Sequence, residues 1–344
     1  MAIGDLVVPR EGDVVVIAEG GVNHDGDPDL AHRLVDVAVE SGSDVVKFQT
    51  FDPSQLVSAA ADATPYQRAS GAAQGQRSLL DALTLPRTVW AELRDHATER
   101  GLTFLSTPFD LGSAELLVDL GVPALKVSSG ELTNTPFLRA LASLGVPLLV
   151  STGMGDAAEV AAAVEACAQA PGTVLFHCVS AYPAPLEQCN LRAIPAMVAA
   201  HGVPVGWSDH TTGVTSALGA VALGASVLEK HVTTDRARPG PDHAASLEPA
   251  ELAHYVAECR ALAVALGDGR KRRVPAEEEN AHLVRRSWHA TRDLAPGERV
   301  SDADVVLLRP EGGATPSEVV VGRTVRTAVA AGAPLPPDAL GDGS

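Results

Sequence analysis

The sequence predicts an α/β protein, a (β/α)8 TIM barrel over residues 1–267 followed by a linker and a small β-rich unit. Three observations predict it. Eight short β-branched runs alternate with eight Ala/Leu/Glu-rich amphipathic stretches. Each run begins apolar and turns polar at its C-terminal end. Beyond residue 284 the alternation stops, and valine-rich runs separated by APGE-type turns take over.

The strand runs are VVVIAE (14–19), VVKFQT (45–50), TFLSTPF (103–109), ALKVSS (124–129), PLLVSTG (147–153), TVLFHCVS (173–180), PVGWSDH (204–210) and SVLEKHV (226–232). Helices are expected at about 28–41, 86–100, 112–119, 135–144, 156–169, 190–201, 214–223 and 249–266. The count and length suit a closed barrel. An open doubly wound sheet fits less well, because the first junction, EGGVNHDGD, lacks the G-x-G-x-x-G spacing of a dinucleotide turn. Residues 268–284 are charged and unpatterned and read as a linker, leaving 285–344 as the β-rich unit. About 60 residues make a marginal core, so this unit is expected to dock against a barrel.

Composition excludes several functions. A hydrophobic fraction of 46% describes a globular core, and no apolar run reaches the length of a membrane span. The first residues carry no signal-peptide pattern, so a cytoplasmic location is the expectation. A net charge of −17 with 3% aromatics argues against nucleic acid as a partner, and the basic run Arg270–Arg273 reads as solvated linker. Cys167, Cys178, Cys189 and Cys259 form no C-x-x-C pair and are expected as free thiols, with Cys178 buried in a strand.

Lysine is the rarer cation, with only Lys47, Lys126, Lys230 and Lys271 in the chain. Three of these lie in strand runs. In a parallel barrel the polar strand ends meet on one face, where active sites are built. Lys47 and Lys126, among Ser129, Ser151, Ser180 and Ser208, form a pocket for a compact polyanion such as a phosphorylated carboxylate. Lys230 alternates away from His231 and is expected to point outward and snorkel. Residues i and i+2 share a face, so Ser208 and His210 point together, as do Glu229 and His231 on the next strand. Two histidines beside oxygen ligands can hold one divalent metal with open positions, and without sulfur a harder ion such as Mn²⁺ fits. Lys126 as a Schiff-base nucleophile of a class I aldolase is the competing chemistry, but it leaves the histidines without a role. A Ser208–Asp209–His210 relay fails because adjacent residues alternate faces.

The segments AEGGVNHDGD, DVVKFQTF, LSTPFD, LKVSSGELTN, LLVSTGM, HCVSAYPAP, GWSDHTTG and LEKHVTTDRARPGPDHAASLEP follow one another along these strands. In that order they resemble the sialic acid synthase family, the N-acetylneuraminate synthases and their legionaminic- and pseudaminic-acid relatives. RRSWHATRDLAPGE and LLRP resemble that family's C-terminal antifreeze-like (SAF, β-clip) domain. The resemblance implies a metal-dependent condensation of phosphoenolpyruvate with the open-chain aldehyde of an N-acylated amino sugar, N-acetylmannosamine or a related hexosamine. It implies His210 and His231 as ligands of Mn²⁺, with Mg²⁺ or Co²⁺ as alternatives. Lys47, Thr107 and Lys126 would hold the substrate carboxylate, and Ser129, Ser151, Ser180 and Ser208 its phosphate. Glu19 would act as acid or base at the reacting centre, and Glu229 would assist the water. Gln49, Glu131, Tyr182 and Asp242 would contact the sugar. A domain-swapped homodimer would bring Arg309 to the acyl group. Ser180 stands where some members have asparagine, EGGVNHDG replaces EAGVNHNG, and EGGATP follows Arg309-Pro310. These departures leave the acceptor open, including an unusual sugar of a specialised pathway.

Overall fold

The computed structural model describes residues 2–4, 6–8, 12–58 and 75–341. The chain forms two compact units, Met1–Asp268 and Gly269–Ser344. In the first, eight parallel strands are β1 (Val15–Gly21), β2 (Val45–Thr50), β3 (Thr103–Pro108), β4 (Leu125–Val127), β5 (Leu148–Ser151), β6 (Thr173–Cys178), β7 (Val205–Asp209) and β8 (Val227–His231). Hydrogen bonding runs β3-β2-β1-β8-β7-β6-β5-β4, and β3 packs against β4 to complete the ring. This is the (β/α)8 TIM barrel expected from the sequence.

Helices α1 (Pro28–Glu40), α2 (Arg87–Glu99), α3 (Leu111–Asp119), α4 (Thr135–Ala142), α5 (Ala157–Ala166), α6 (Ala193–His201), α7 (Thr215–Ala222) and α8 (Pro249–Leu266) follow the strands in turn. Their starts are chemically marked. Asp27, Asp110 and Asn134 accept backbone N–H groups at the starts of α1, α3 and α4, and Asp156 forms a capping box with Glu159 at α5. Two short helices, Pro53–Leu56 and Gln76–Ala82, lie between β2 and α2 and were not expected.

Strand alternation sorts the core into two shells. Val16, Ala18, Val46, Phe48, Leu125 and Trp207 pack outward against the helices. Val15, Ile17, Val45, Leu105, Ala124, Leu149, Val174, Phe176 and Val227 fill the barrel interior. Ile3 and Val8, flanking the hairpin of Ala2–Ile3 with Leu6–Val7, join this inner shell. Gly4 lies against Thr103 and Pro123, so the hairpin closes the N-terminal end of the barrel. The same inward parity that places Ile17, Val45, Leu105, Leu149 and Val227 continues to Glu19, Lys47, Thr107, Ser151 and Glu229.

The second unit contains the small β-rich part expected from the sequence. Strands β9 (Ser287–Ala290) and β10 (Val305–Leu308) pair antiparallel, and isolated bridges link the remaining turns. Ala290, Leu294, Val300, Val305, Ala314, Val320, Val325, Val329, Leu335 and Leu340 form its own core. Within the expected linker, residues 278–284 form a helix, Glu278–Val284. Residues 342–344 of the unit predicted from the sequence lie outside the described residues. Among the described residues no helix is long and apolar enough to cross a membrane.

One expectation is overturned. Lys230 points outward from the strand but does not snorkel, because its side chain is fully buried between the barrel wall and α8. Its Nζ lies 3.4 Å from Asp209 Oδ2, donates to the Thr211 carbonyl and sits 5.8 Å from the Tyr255 ring centroid. Asp209 Oδ1 accepts from Thr211 N at 2.9 Å, Thr211 Oγ1 at 2.8 Å and Ser216 Oγ at 3.0 Å, so the pair also fixes the turn into α7. Burial lowers the Lys230 pKa and Asp209 opposes that shift. Removing one partner strands a buried charge. Asp209→Ala should therefore destabilise the barrel by about 3–5 kcal/mol, and Asp209→Leu with Lys230→Met should recover most of that loss in urea denaturation. Equal midpoints for the single and double variants would contradict this account.

Candidate active site

The polar ends of the inward positions surround a cavity of about 380 Å³ at the C-terminal mouth of the barrel. Glu19, Lys47, Gln49, Thr107, Lys126, Ser129, Ser151, Ser180, Tyr182, Ser208, His210, Glu229 and His231 all line it. Register accounts for their meeting. Glu19 is paired with Lys47 on one side and His231 on the other, Gln49 is paired with Thr107, and Ser208 is paired with Glu229. A larger hollow of about 480 Å³ beside α8 is lined by Thr212, Val214, Leu247 and Tyr255 among others. It lacks the converging lysines and histidines of the barrel mouth, so volume alone does not select the site.

Two ammonium and two carboxylate groups are packed together out of water. Lys47 Nζ lies 2.7 Å from Glu19 Oε2 and 3.7 Å from Glu229 Oε2, and donates to Thr107 Oγ1 at 2.9 Å. Lys126 Nζ lies 3.9 Å from Glu229 Oε1, and donates to the Val127 carbonyl at 3.1 Å and to Ser151 Oγ. Ser208 Oγ donates to Glu229 Oε1 at 2.9 Å. Burial opposes ionisation of Glu229, but Lys126 and Lys47 outweigh it and draw the pKa down to about 2. Burial dominates at Glu19 and, despite Lys47, pushes it up to about 7 with help from the Glu229 charge. Burial also pulls at Lys47, yet Glu19 and Glu229 raise its pKa, whereas burial lowers that of Lys126. Glu229 therefore carries the fixed negative charge, and Glu19 is the carboxyl poised to exchange a proton near neutrality.

The histidines form the opposite wall. Their ring centroids are 5.6 Å apart, and the Tyr182 ring lies 4.2 Å from His210 and 5.8 Å from His231. His210 Nδ1 is 2.7 Å from the Val179 carbonyl, which assigns the proton to that nitrogen and leaves Nε2 as a lone pair. His231 Nδ1 is buried without a hydrogen-bond partner, 3.8 Å from Asp242 Oδ2. Burial lowers both histidine pKa values, keeping the rings neutral. His210 Nε2 lies 3.4 Å from Ser208 Oγ, whose proton goes to Glu229, so its lone pair stays unprotonated. Two neutral imidazoles fit the donor set of a divalent ion. Among the described residues no group of three or more His, Cys, Asp or Glu side chains gathers in metal-holding geometry.

A further part of the wall was not anticipated. Gly153 occupies the point where Ser129, Cys178 and Ser180 converge, and a Cβ there would come within 2.8 Å of Cys178 Sγ and 2.9 Å of Ser129 Oγ. Its N–H donates to Ser129 Oγ at 3.0 Å. The missing side chain is what lets these three side chains close up against the backbone. Cys178 follows Phe176 in inward parity, a signal present in the sequence but read there only as burial. Phe109 also reaches the cavity, next in the inward parity of Leu105 and Thr107, as do Gln76 and Met154 from segments outside the strands.

Not every polar strand end converges. Ser106 is bonded to Thr50 at 2.7 Å in the outer layer, and His177 faces the Cys189 carbonyl and the Trp207 ring. Thr152 Oγ1 is spent on the Phe176 carbonyl. Glu131 is absent from the cavity wall and accepts from Asn134 at 2.7 Å, at the start of α4. Asp242 stands just behind His231, and burial pushes its pKa up to about 6. Arg309 is exposed in the second unit.

Comparison with known proteins agrees with this architecture. Residues 34–271 match the NeuB family and residues 285–341 match the SAF domain. The chain is 41% identical over 304 residues to the N,N'-diacetyllegionaminic acid synthase of Campylobacter jejuni, covering 87% of this chain and 91% of that one. It is 42% identical over 329 residues to the protein of the same name from Legionella pneumophila, covering 93% and 92%. Among solved structures, the N-acetylneuraminic acid (sialic acid) synthetase of Leptospira borgpetersenii aligns with a TM-score of 0.69 at 32% identity, covering 78% of this chain and 90% of that one.

The electrostatics yield a measurable outcome. Glu19 should titrate near pH 7 in the metal-free protein, as read by carboxyl ¹³C NMR, and Lys47→Met should move it higher by removing the cation that pulls it down. Between its ordinary value of 4.5 and about 7 the native state retains a proton that the unfolded chain releases. This group alone therefore lowers stability as pH rises through that window. A midpoint below about pH 5 would show that burial does not govern Glu19.

Proposed function

The chain belongs to the NeuB family, and from that premise we propose that it condenses phosphoenolpyruvate with the open-chain aldehyde of an N-acylated amino sugar, giving a nonulosonic acid and inorganic phosphate. The observation that carries this reading is the pairing of two buried lysines with a hydroxyl-lined cradle beside two neutral histidines. That combination suits a small substrate bearing both a carboxylate and a phosphate. The legionaminic acid synthases among the relatives support a nonulosonic product and favour a di-N-acylated hexose within the acceptor class.

In this mechanism Lys47, Thr107 and Lys126 bind the substrate carboxylate. Protonation of Glu19 frees Lys47 from one of its two carboxylate partners and makes the ammonium available to the incoming anion. Ser129, Ser151, Ser180 and Ser208 take the phosphate. C3 of phosphoenolpyruvate forms a bond to the aldehyde carbon, and the aldehyde oxygen ends as a hydroxyl. Water adds at C2, and the resulting tetrahedral centre loses phosphate by C–O cleavage to leave a 2-keto acid. One water proton goes to the new hydroxyl and the other to phosphate, and Glu19 is the group placed to carry a proton between them. Glu229 stays ionised, holds both ammonium groups in place and orients Ser208. His210 and His231 would hold a divalent ion such as Mn²⁺, which supplies Lewis acidity toward a carbonyl oxygen.

Purified full-length protein incubated with phosphoenolpyruvate, Mn²⁺ and a panel of mono- and di-N-acylated hexoses should release phosphate only with an acceptor, and a chelator should stop it. His210→Ala should lower turnover about 10³-fold or more, equivalent to several kcal/mol of transition-state stabilisation, with unchanged circular dichroism. Absence of release with every sugar would sink the synthase reading. A borohydride-trapped adduct on Lys126 would favour Schiff-base aldolase chemistry instead.

A further inference from the structure

Two sequence segments do not enter the mechanism above, VNHDGD after β1 and TTDRARPGPDH after β8, and they are tied together by buried polar contacts. His243 is fully buried, with Nε2 2.9 Å from Asp25 Oδ1 and Nδ1 2.7 Å from Thr233 Oγ1. Arg238 Nε donates to the other Asp25 oxygen at 3.0 Å. Asn23, also fully buried, donates to the Val232 carbonyl at 2.8 Å and to Ser246 Oγ at 2.9 Å, and Ser246 Oγ donates to the Asp242 carbonyl at 2.7 Å. Asp25 holds a left-handed backbone with φ of +53°, and Gly240 carries no side chain where a Cβ would lie 3.1 Å from Asp25 Oδ1. Buried polar groups at this density cost stability unless every partner is in place.

Between the two arms of this network stands Asp242. Its backbone carbonyl is held by Ser246, the residue after it is locked to Asp25, and its carboxylate is left to face His231 at 3.8 Å. On its other side a Cβ at Gly21 would lie 3.6 Å from Asp242 Oδ2 and 3.4 Å from Gln49 Nε2, so the carboxylate sits directly behind Gln49 and His231, two residues that line the cavity. We propose that Asp25, through His243 and Arg238, is a positioning residue that sets the Asp242 carboxylate against the acceptor sugar. The inference rests on the synthase reading, and it assigns acceptor binding, not phosphoenolpyruvate binding, to this brace. Lys47, Lys126 and the serine cradle make no hydrogen bond or ion pair with Asp25, His243 or Arg238.

The test separates a specific brace from general stability. Asp25→Gly removes the carboxylate while keeping a residue that accepts positive φ, and Asp25→Asn keeps both the conformation and one acceptor oxygen. With the panel sugar that gives fastest phosphate release, Asp25→Gly should raise the acceptor KM about 10–100-fold and leave the phosphoenolpyruvate KM within about twofold. Asp25→Asn should restore the acceptor KM to within about threefold of the unsubstituted enzyme. Arg238→Gln, at a side chain 37% exposed, provides a milder perturbation of the same kind should Asp25→Gly fold poorly. In an Asp242→Asn background, calorimetric titration with that sugar should show little further loss from either substitution, because both act through Asp242. If both KM values rise together, or the losses simply add in the Asp242→Asn background, the brace is overturned while the synthase reading stands. If no panel sugar supports release from the unsubstituted enzyme, both fall.

Discussion

Everything in the barrel follows from a parity constraint. A side chain on a strand of a closed parallel barrel goes either into the lumen or into the strand–helix layer, and its neighbour goes the other way. Near the strand N-termini the inward positions are Val15, Val45, Ala124 and Val227, and together with the terminal hairpin they make an apolar plug. Four residues later the same parity delivers Glu19, two residues later Lys47, Lys126 and Glu229. Apolar floor and charged mouth are one pattern read at two heights.

That pattern forces charges into a space with little water, and the arrangement answers with near-neutral bookkeeping. Glu229 serves both lysines, which leaves Glu19 as the carboxyl that burial drives toward protonation. The chain keeps two cations ready for an anionic substrate without leaving either unpartnered beforehand. On the outer face β7 and β8 carry Asp209 and Lys230, one residue before His210 and His231 respectively. Each histidine of the mouth is thus adjacent in sequence to half of a buried ion pair that holds its strand end and the following turn.

Much of this was legible from residue order. Short β-branched runs alternating with Ala/Leu/Glu-rich amphipathic stretches sufficed for eight strands and eight helices, and parity alone grouped Ser208 with His210 and Glu229 with His231. Other features were not legible for identifiable reasons. Lys230 was expected to snorkel because strand parity says which face a side chain takes but not how thick the layer above it is, and α8 with Tyr255 covers it completely. Ser106 and His177 look like mouth residues by position, yet their partners, Thr50 and the Cys189 carbonyl, lie in the outer layer. Gly153 has no side chain to attract notice, and its contribution is visible only once Ser129, Cys178 and Ser180 surround it. The Asp25–His243 contact joins residues more than two hundred positions apart, a pairing no local pattern encodes.

Gln76 reaches the cavity from the short helix Gln76–Ala82, in the excursion between β2 and α2. Residues on the strands cannot be inserted or deleted singly, because a one-position slip would exchange lumen and layer and bury Lys230's neighbour histidine in the wrong compartment. The helix Gln76–Ala82 is free of that arithmetic. A substitution at Gln76 therefore changes the rim of the mouth without moving the reacting centre out of register.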